Sequence, residues 1–130
     1  MKKIFLTLAI FSTNALAEYE NFGDLDVDTI IAISEDKAVS ESVQCGIFAG
    51  KMNLGKDKLH KFRYASLFAA SLASDGNLNI FTPEKRLGIM VATYYQQGRV
   101  DMLEKIKNPM PTESYQQAYN SLNCESFLKM

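Results

Sequence analysis

Three residues would have to carry any nucleophilic, acid–base or zinc chemistry in this chain: its one histidine, His60, and its two cysteines, Cys45 and Cys124. His60 lies in Lys58-Leu59-His60-Lys61-Phe62-Arg63. Three neighbouring cations are a poor setting for the base that activates a serine or cysteine, so the expected role is a solvent-facing helix position. Neither cysteine belongs to a C-x-x-C pair, which argues against a redox role. One histidine beside two paired cysteines also leaves no zinc ligand set. The fifteen acidic residues allow many carboxylate pairs, and a hydrolase built on one of them is an alternative reading. No phosphate loop, nucleophile elbow or dinucleotide fingerprint is present. The expectation is a protein with no catalytic residues, no cofactor and no bound metal.

Asp75-Gly76-Asn77-Leu78-Asn79 places oxygen-bearing side chains at three alternating positions between two expected helices. In that respect it resembles the start of an EF-hand calcium loop. The pattern then departs from the family. Ile80 stands where the loop needs glycine, and Arg86 where it needs the bidentate glutamate, so a plain Asp-Gly turn is expected.

The chain begins like an export signal. Lys2 and Lys3 precede the apolar run Ile4 to Phe11, and Ala15-Leu16-Ala17 offers a small-x-small cleavage site. The run is much shorter than the roughly 20 apolar residues needed to span a bilayer, so residues 1–17 read as a cleaved peptide and not as a membrane anchor. Residues 18–28 read as an acidic N-terminal arm carrying Tyr19 and Phe22, and residues 29–130 as a single helical domain. Export to a periplasm or beyond favours a Cys45–Cys124 disulfide. Without Lys2 and Lys3 the chain holds twelve basic and fifteen acidic residues. A net negative charge argues against nucleic acid as a partner.

Hydrophobic spacing predicts an all-α fold, a compact bundle of about five to six helices with one disulfide. A short helix is expected to start at Asp28. A second runs from about Glu35 to Asn53 with Ser34 as its cap, and Gly46 and Gly50 on its inner stripe predict an unusually close helix neighbour. A third spans Lys58 to Ser74, capped by Asp57, with Leu59, Phe62, Ala65, Ala69 and Leu72 inward and Tyr64, Leu67 and Phe68 widening that face. Thr82-Pro83-Glu84 is a strong start signal for a fourth helix, which Gly98 is expected to end. Its inward residues should be Leu87, Met90, Val91 and Tyr94. A fifth, from Val100 to Lys107, would use Val100, Leu103 and Ile106. Thr112 caps the last, with Tyr115, Ala118, Tyr119 and Leu122 at helical spacing.

Function is expected on the surface of this scaffold. Residues 18–41 carry eight acids against Lys37, whereas Lys51, Lys56, Lys58, Lys61 and Arg63 face only Asp57 over their own stretch. That basic segment, with Tyr95, Gln96 and Gln97, forms the candidate partner surface. The reading that follows is an exported binding protein that inhibits or neutralises a protein partner, as immunity and exclusion factors do. Cys124-Glu125-Ser126-Phe127-Leu128 is similar to a Cys-Glu-x-Phe-Leu stretch of the HdeA-type acid chaperones. The match covers five residues and lies at the opposite end of the chain from the family's. That resemblance implies a small helical, disulfide-held stress chaperone that unfolds in acid.

Overall fold

A computed structural model of the chain describes residues 24–129. The signal segment 1–17 and most of the acidic arm, with Tyr19 and Phe22, lie outside the described residues. Among the described residues the fold is all-helical, with five α-helices and a terminal 3-10 helix, and no strands. None of these helices is long and apolar enough to cross a membrane.

Helix α1 is Val27–Glu35 and α2 is Lys37–Lys51. Both are started by aspartates upstream or downstream of the expected caps. Asp26 accepts from the Thr29 backbone N–H and from its hydroxyl, at 3.2 and 2.7 Å. The helix therefore begins inside the stretch read as an arm, and Asp28 is a first-turn acid that favours the helix dipole. Asp36 serves two helices at once. Its N–H closes α1 on the Ile33 carbonyl at 3.2 Å, and its carboxylate caps α2 by accepting from the Val39 N–H at 3.0 Å. Ser34 is displaced from the cap role because its hydroxyl bonds back to the Ile31 carbonyl.

Helix α3, Lys56–Ala73, follows a turn in which Gly55 adopts φ 101°, a conformation that suits glycine. Asp57 sits in its first turn and Gly55 holds the cap position. Helix α4, Pro83–Ile106, starts as expected on Thr82, whose Oγ1 accepts from the Lys85 N–H at 3.3 Å. It does not stop at Gly98. The two helices expected from Pro83 to Gln97 and from Val100 to Lys107 are one helix of 24 residues. A single glycine costs about 1 kcal/mol against alanine, which buried Gln96 and Val100 on either side outweigh. Helix α5 is Thr112–Ser121, and the 3-10 helix is Cys124–Lys129.

The core has two parts. Ile33, Val39, Val43, Ala69, Ala70 and Ala92 join α1 to α4. Cys45, Ala49, Phe62, Tyr119 and Cys124 join α2 and α3 to the chain's last elements. Cys45 and Cys124 are bonded, as expected, across a sequence separation of 79. Closing such a loop restricts the unfolded chain by about 4.5 kcal/mol in the chain-entropy view. Between α2 and α3, the buried hydroxyls of Ser42 and Ser66 meet at 2.9 Å, and each also donates to a carbonyl of its own helix or to the other hydroxyl.

The tightest surroundings of a helical glycine are not at Gly46 or Gly50. A Cβ on Gly46 would meet the Phe62 Cβ at 3.5 Å, and one on Gly50 the Leu59 Cδ2 at 3.9 Å, both ordinary contacts. They lie instead at Gly88, where a Cβ would fall 2.5 Å from the Ile33 Cγ2. There α1 and α4 touch almost backbone to side chain.

Candidate functional site

The expected calcium-like turn turns out to be built around a lysine. Lys85 is fully buried, and its Nζ reaches the Asp75 carboxylate at 2.8 Å, the Asn77 carbonyl at 2.7 Å and the Ile80 carbonyl at 2.8 Å. The cation in this loop is the side chain's own ammonium, held by charge-assisted bonds. Asp75 is held below the ordinary carboxylate range, first by its bond with Lys85 and then by the Asn77 N–H. No sequence rule pairs a lysine in the first turn of α4 with the loop before it. The nearest signal was the concentration of oxygen donors itself.

Asp26, Asp28, Asp75 and Glu84 line a neighbouring recess of about 520 Å³. This is where paired carboxylates come together. Asp26 is held below the ordinary range by its Thr29 bonds, and Asp75 by Lys85. Both stay ionised at neutral pH, whereas a general acid needs its proton affinity raised. Among the described residues no three histidine, cysteine, aspartate or glutamate side chains form a group that could hold a metal ion.

The candidate partner surface is redistributed by the fold. Lys51 is engaged by Glu104 of α4 at 2.9 Å, and Lys58 by Glu125 of the 3-10 helix at 3.4 Å. Gln96, expected on the outside, is only 6% exposed, and its Nε2 donates to the Ser40 hydroxyl at 2.7 Å. Gln97 donates to Asp101 on its own helix at 2.9 Å. Tyr95 is exposed, with the Arg99 guanidinium 6.0 Å from its ring. It lines a recess between the α1–α2 junction and α4, away from the lysines. The tyrosine–glutamine group and the basic segment are therefore not one surface.

Lys56, Lys61 and Arg63 form no ion pair among the described residues. They lie on α3, whose outer side carries a feature that hydrophobic spacing had turned inward. Lys56, His60, Tyr64, Phe68 and Leu72 recur every four residues and all five are exposed. Tyr64 and Leu72 are 77% and 61% exposed, against the expectation that they face the core. The core side of the helix is instead taken by Phe62, Ala65, Ser66, Ala69 and Ala70, small residues that let α2 and α4 close in and leave no room for the larger ones.

Beside this ridge the 3-10 helix contributes Phe127 and Leu128. With His60, Lys61, Tyr64, Ala65 and Phe68 they enclose an apolar groove of about 450 Å³. A second groove of about 440 Å³ opens on the other side of α3, over Val43, Ile47, Phe62 and Ile89, with Arg63 at its edge. No protein-family model, curated protein or solved structure matches this chain. Among the described residues, α3 presents an exposed outer surface. On that surface exposed Tyr64 and Phe68 stand beside the groove that Phe127 and Leu128 border.

Two tyrosines one turn apart on α5 add to the disulfide in fixing the last elements. Tyr115 donates to Glu104, which Lys51 also holds, and Tyr119 donates to Glu125 at 2.8 Å, which Lys58 also holds. Both carboxylates are thereby held below their ordinary range, first by the tyrosine bond in each case. The lysines expected to greet a partner are in part the fixings of the fold.

Proposed function

We propose that this chain is a small exported, periplasmic binding protein that inhibits or neutralises a protein partner by contact and not by catalysis, in the manner of an immunity or exclusion factor. The observation that carries this reading is the exposed ridge of α3. Monomeric surfaces rarely present several large apolar side chains in register, and such patches mark interaction sites. Tyrosine and phenylalanine are enriched at interface centres. The disulfide is consistent with an oxidising compartment, and the signal-like start of the sequence supports export.

The test is affinity capture by the exported protein from periplasmic extract at neutral pH. The expected result is one stoichiometric partner whose own activity falls on binding. Recovery of no partner overturns the reading.

The HdeA-type chaperone is a second reading, favoured by one observation. Cys124 to Leu128 lies within the 3-10 helix, and Glu125 inside it is tied by bonds that acid would weaken. Capture of many unfolded clients in acid, and none at neutral pH, would favour it.

A further inference from the structure

We infer that the outer face of α4 is the contact between two copies of this chain, packed antiparallel about a two-fold axis beside Gly98; this is independent of the binding role proposed above. Val91, Tyr95, Gly98, Met102 and Ile106 follow one another at steps of four, three, four and four residues. At 3.6 residues per turn those steps keep all five within about 80° of the helix circumference, so they form one stripe about 22 Å long. The four side chains are between 48% and 72% exposed, and a Cβ on Gly98 would meet nothing within 4 Å. Exposed large apolar side chains aligned in this way mark an interaction surface.

The order of residues along the stripe identifies the occupant. From either end it runs from a branched aliphatic residue through a longer side chain to glycine. A two-fold contact needs a surface that is its own complement. An antiparallel copy centred between Gly98 and Arg99 sets Val91 against Ile106, one aliphatic side chain on another. It also sets Tyr95 against Met102, and a thioether beside an aromatic ring is a favourable contact. Gly98 then meets its own copy, which lets the two helix axes approach to about 8 Å, the lower end of the usual range. Val91 and Tyr95 border the recess at the α1–α2 junction, and the second copy's end of the stripe would lie along it.

Charge settles the direction. Parallel packing would place Lys105 against Lys105 and Asp101 against Asp101, with the helix dipoles aligned. Antiparallel packing moves the two Lys105 residues about 20 Å apart along the axis and the two Asp101 residues about 8 Å. Arg99 alone meets its copy near the centre. Its guanidinium is bonded to Gln96 and lies over the Tyr95 ring, and Glu35 lines the same recess. A formal net charge of −1 opposes association little. A contact made by one helix face is at the small end of interface sizes, so the dimer forms reversibly and at high concentration.

Sedimentation of the oxidised protein from about 5 to about 500 µM should show a reversible passage from monomer to dimer. Met102→Glu with Ile106→Glu, both at exposed positions and checked for unchanged circular dichroism, should weaken association at least about tenfold. Tyr64→Ser with Leu72→Ser, on α3, should leave it intact. Added thiols read the register. Gly98→Cys should bridge two chains under mild oxidation, because residues beside the axis come within disulfide reach. Ile106→Cys should not bridge to itself, since its two copies lie about 22 Å apart, but should bridge to Val91→Cys when the two variants are mixed. Both native cysteines are buried, which shields their bond from exchange.

A monomer at every concentration overturns the inference, as does a dimer that the α4 double substitution leaves unchanged. Bridging of Ile106→Cys to itself would show parallel packing and overturns it equally. So does a Gly98→Cys variant that forms no bridge. A dimer dissolved by the α3 substitutions places the contact on α3 and removes this one.

Discussion

Tyr119 of α5 donates its phenolic proton to Glu125 of the 3-10 helix at 2.8 Å, six residues further along the chain. One turn earlier Tyr115 makes the same bond to Glu104 of α4. Each carboxylate also takes a lysine, so the two ends of α5 are fastened in the same way to different parts of the bundle. Burial and the Glu125 bond push the Tyr119 hydroxyl up to about 12, and the Glu104 bond raises Tyr115 to about 12 as well.

These shifts contribute to the pH dependence of stability, on the acid side together with those of Asp26 and Asp75. Glu104 and Glu125 have folded values below the ordinary 4.5, so their contribution is full above that pH and is lost as the pH falls through the lowered values. The tyrosines are raised above 10, so theirs is full below pH 10 and is lost as the pH climbs towards about 12. Urea midpoints should be level between these limits and fall on both sides. Tyr119→Phe should lower stability by about 1 kcal/mol at pH 7 and flatten the acid limb. An unchanged acid limb would show that Glu125 is not a contributor.

Lys85→Met should destabilise the fold by about 2–4 kcal/mol, because it strands two carbonyls and a carboxylate that the ammonium satisfies. Asp75→Asn should cost less, since Asp75 is half exposed and the carbonyl bonds survive. Urea denaturation gives the ranking, and limited proteolysis should locate the first cut of the Lys85 variant between Asp75 and Thr82. Equal effects of the two substitutions would mean that the carbonyl bonds contribute little.

Within α4, two glycines should answer alanine with opposite signs. At Gly88 the new methyl would lie 2.5 Å from Ile33 Cγ2 and 3.1 Å from the Ile30 carbonyl, and overpacking of this kind costs about 1–3 kcal/mol. At Gly98 nothing lies within 4 Å, and the gain in helix propensity is up to about 1 kcal/mol. Thermal melts of the two variants decide this. Ile33→Ala in the Gly88→Ala background should recover part of the loss, a coupling that a double-mutant cycle measures.

Replacing Cys45 and Cys124 together by alanine should cost about 2–5 kcal/mol. Hydrogen exchange should rise most in α5 and the 3-10 helix, which the bond ties to α2. A thiol assay on the exported protein should find no free thiol.

The sequence carried the helical class, the disulfide and the Thr82-Pro83 start, because each rests on local chemistry that the fold preserves. Helix faces were less legible. In α4 the inward residues are Lys85, Gly88, Ala92, Gln96 and Val100, so a search for large apolar side chains selected Val91 and Tyr94, which are exposed. Leu103 and Ile106 are exposed as well, and only Val100 of that expected anchor set is buried. In α3 the same bias turned Tyr64 and Leu72 inward. The polar residues that begin their row, Lys56 and His60, were the available sign that it faces out. The caps moved by two residues because Asp26, Asp28, Ser34 and Asp36 are all competent, and tertiary contacts chose among them. Of the candidate surface, Lys56, Lys61 and Arg63 are exposed and form no ion pair among the described residues. Lys51, Lys58 and Gln96 have partners in distant helices that no local pattern reveals.

The Lys85 ammonium gives the loop before α4 a further property. Calcium-binding loops of similar outline are loaded and emptied by the solution around them, whereas this one receives its ion when the chain is synthesised. No chelator can strip it and no change in metal supply can vary its occupancy. The segment that leads into the longest helix is therefore closed by a covalently attached group and not by an exchangeable ion.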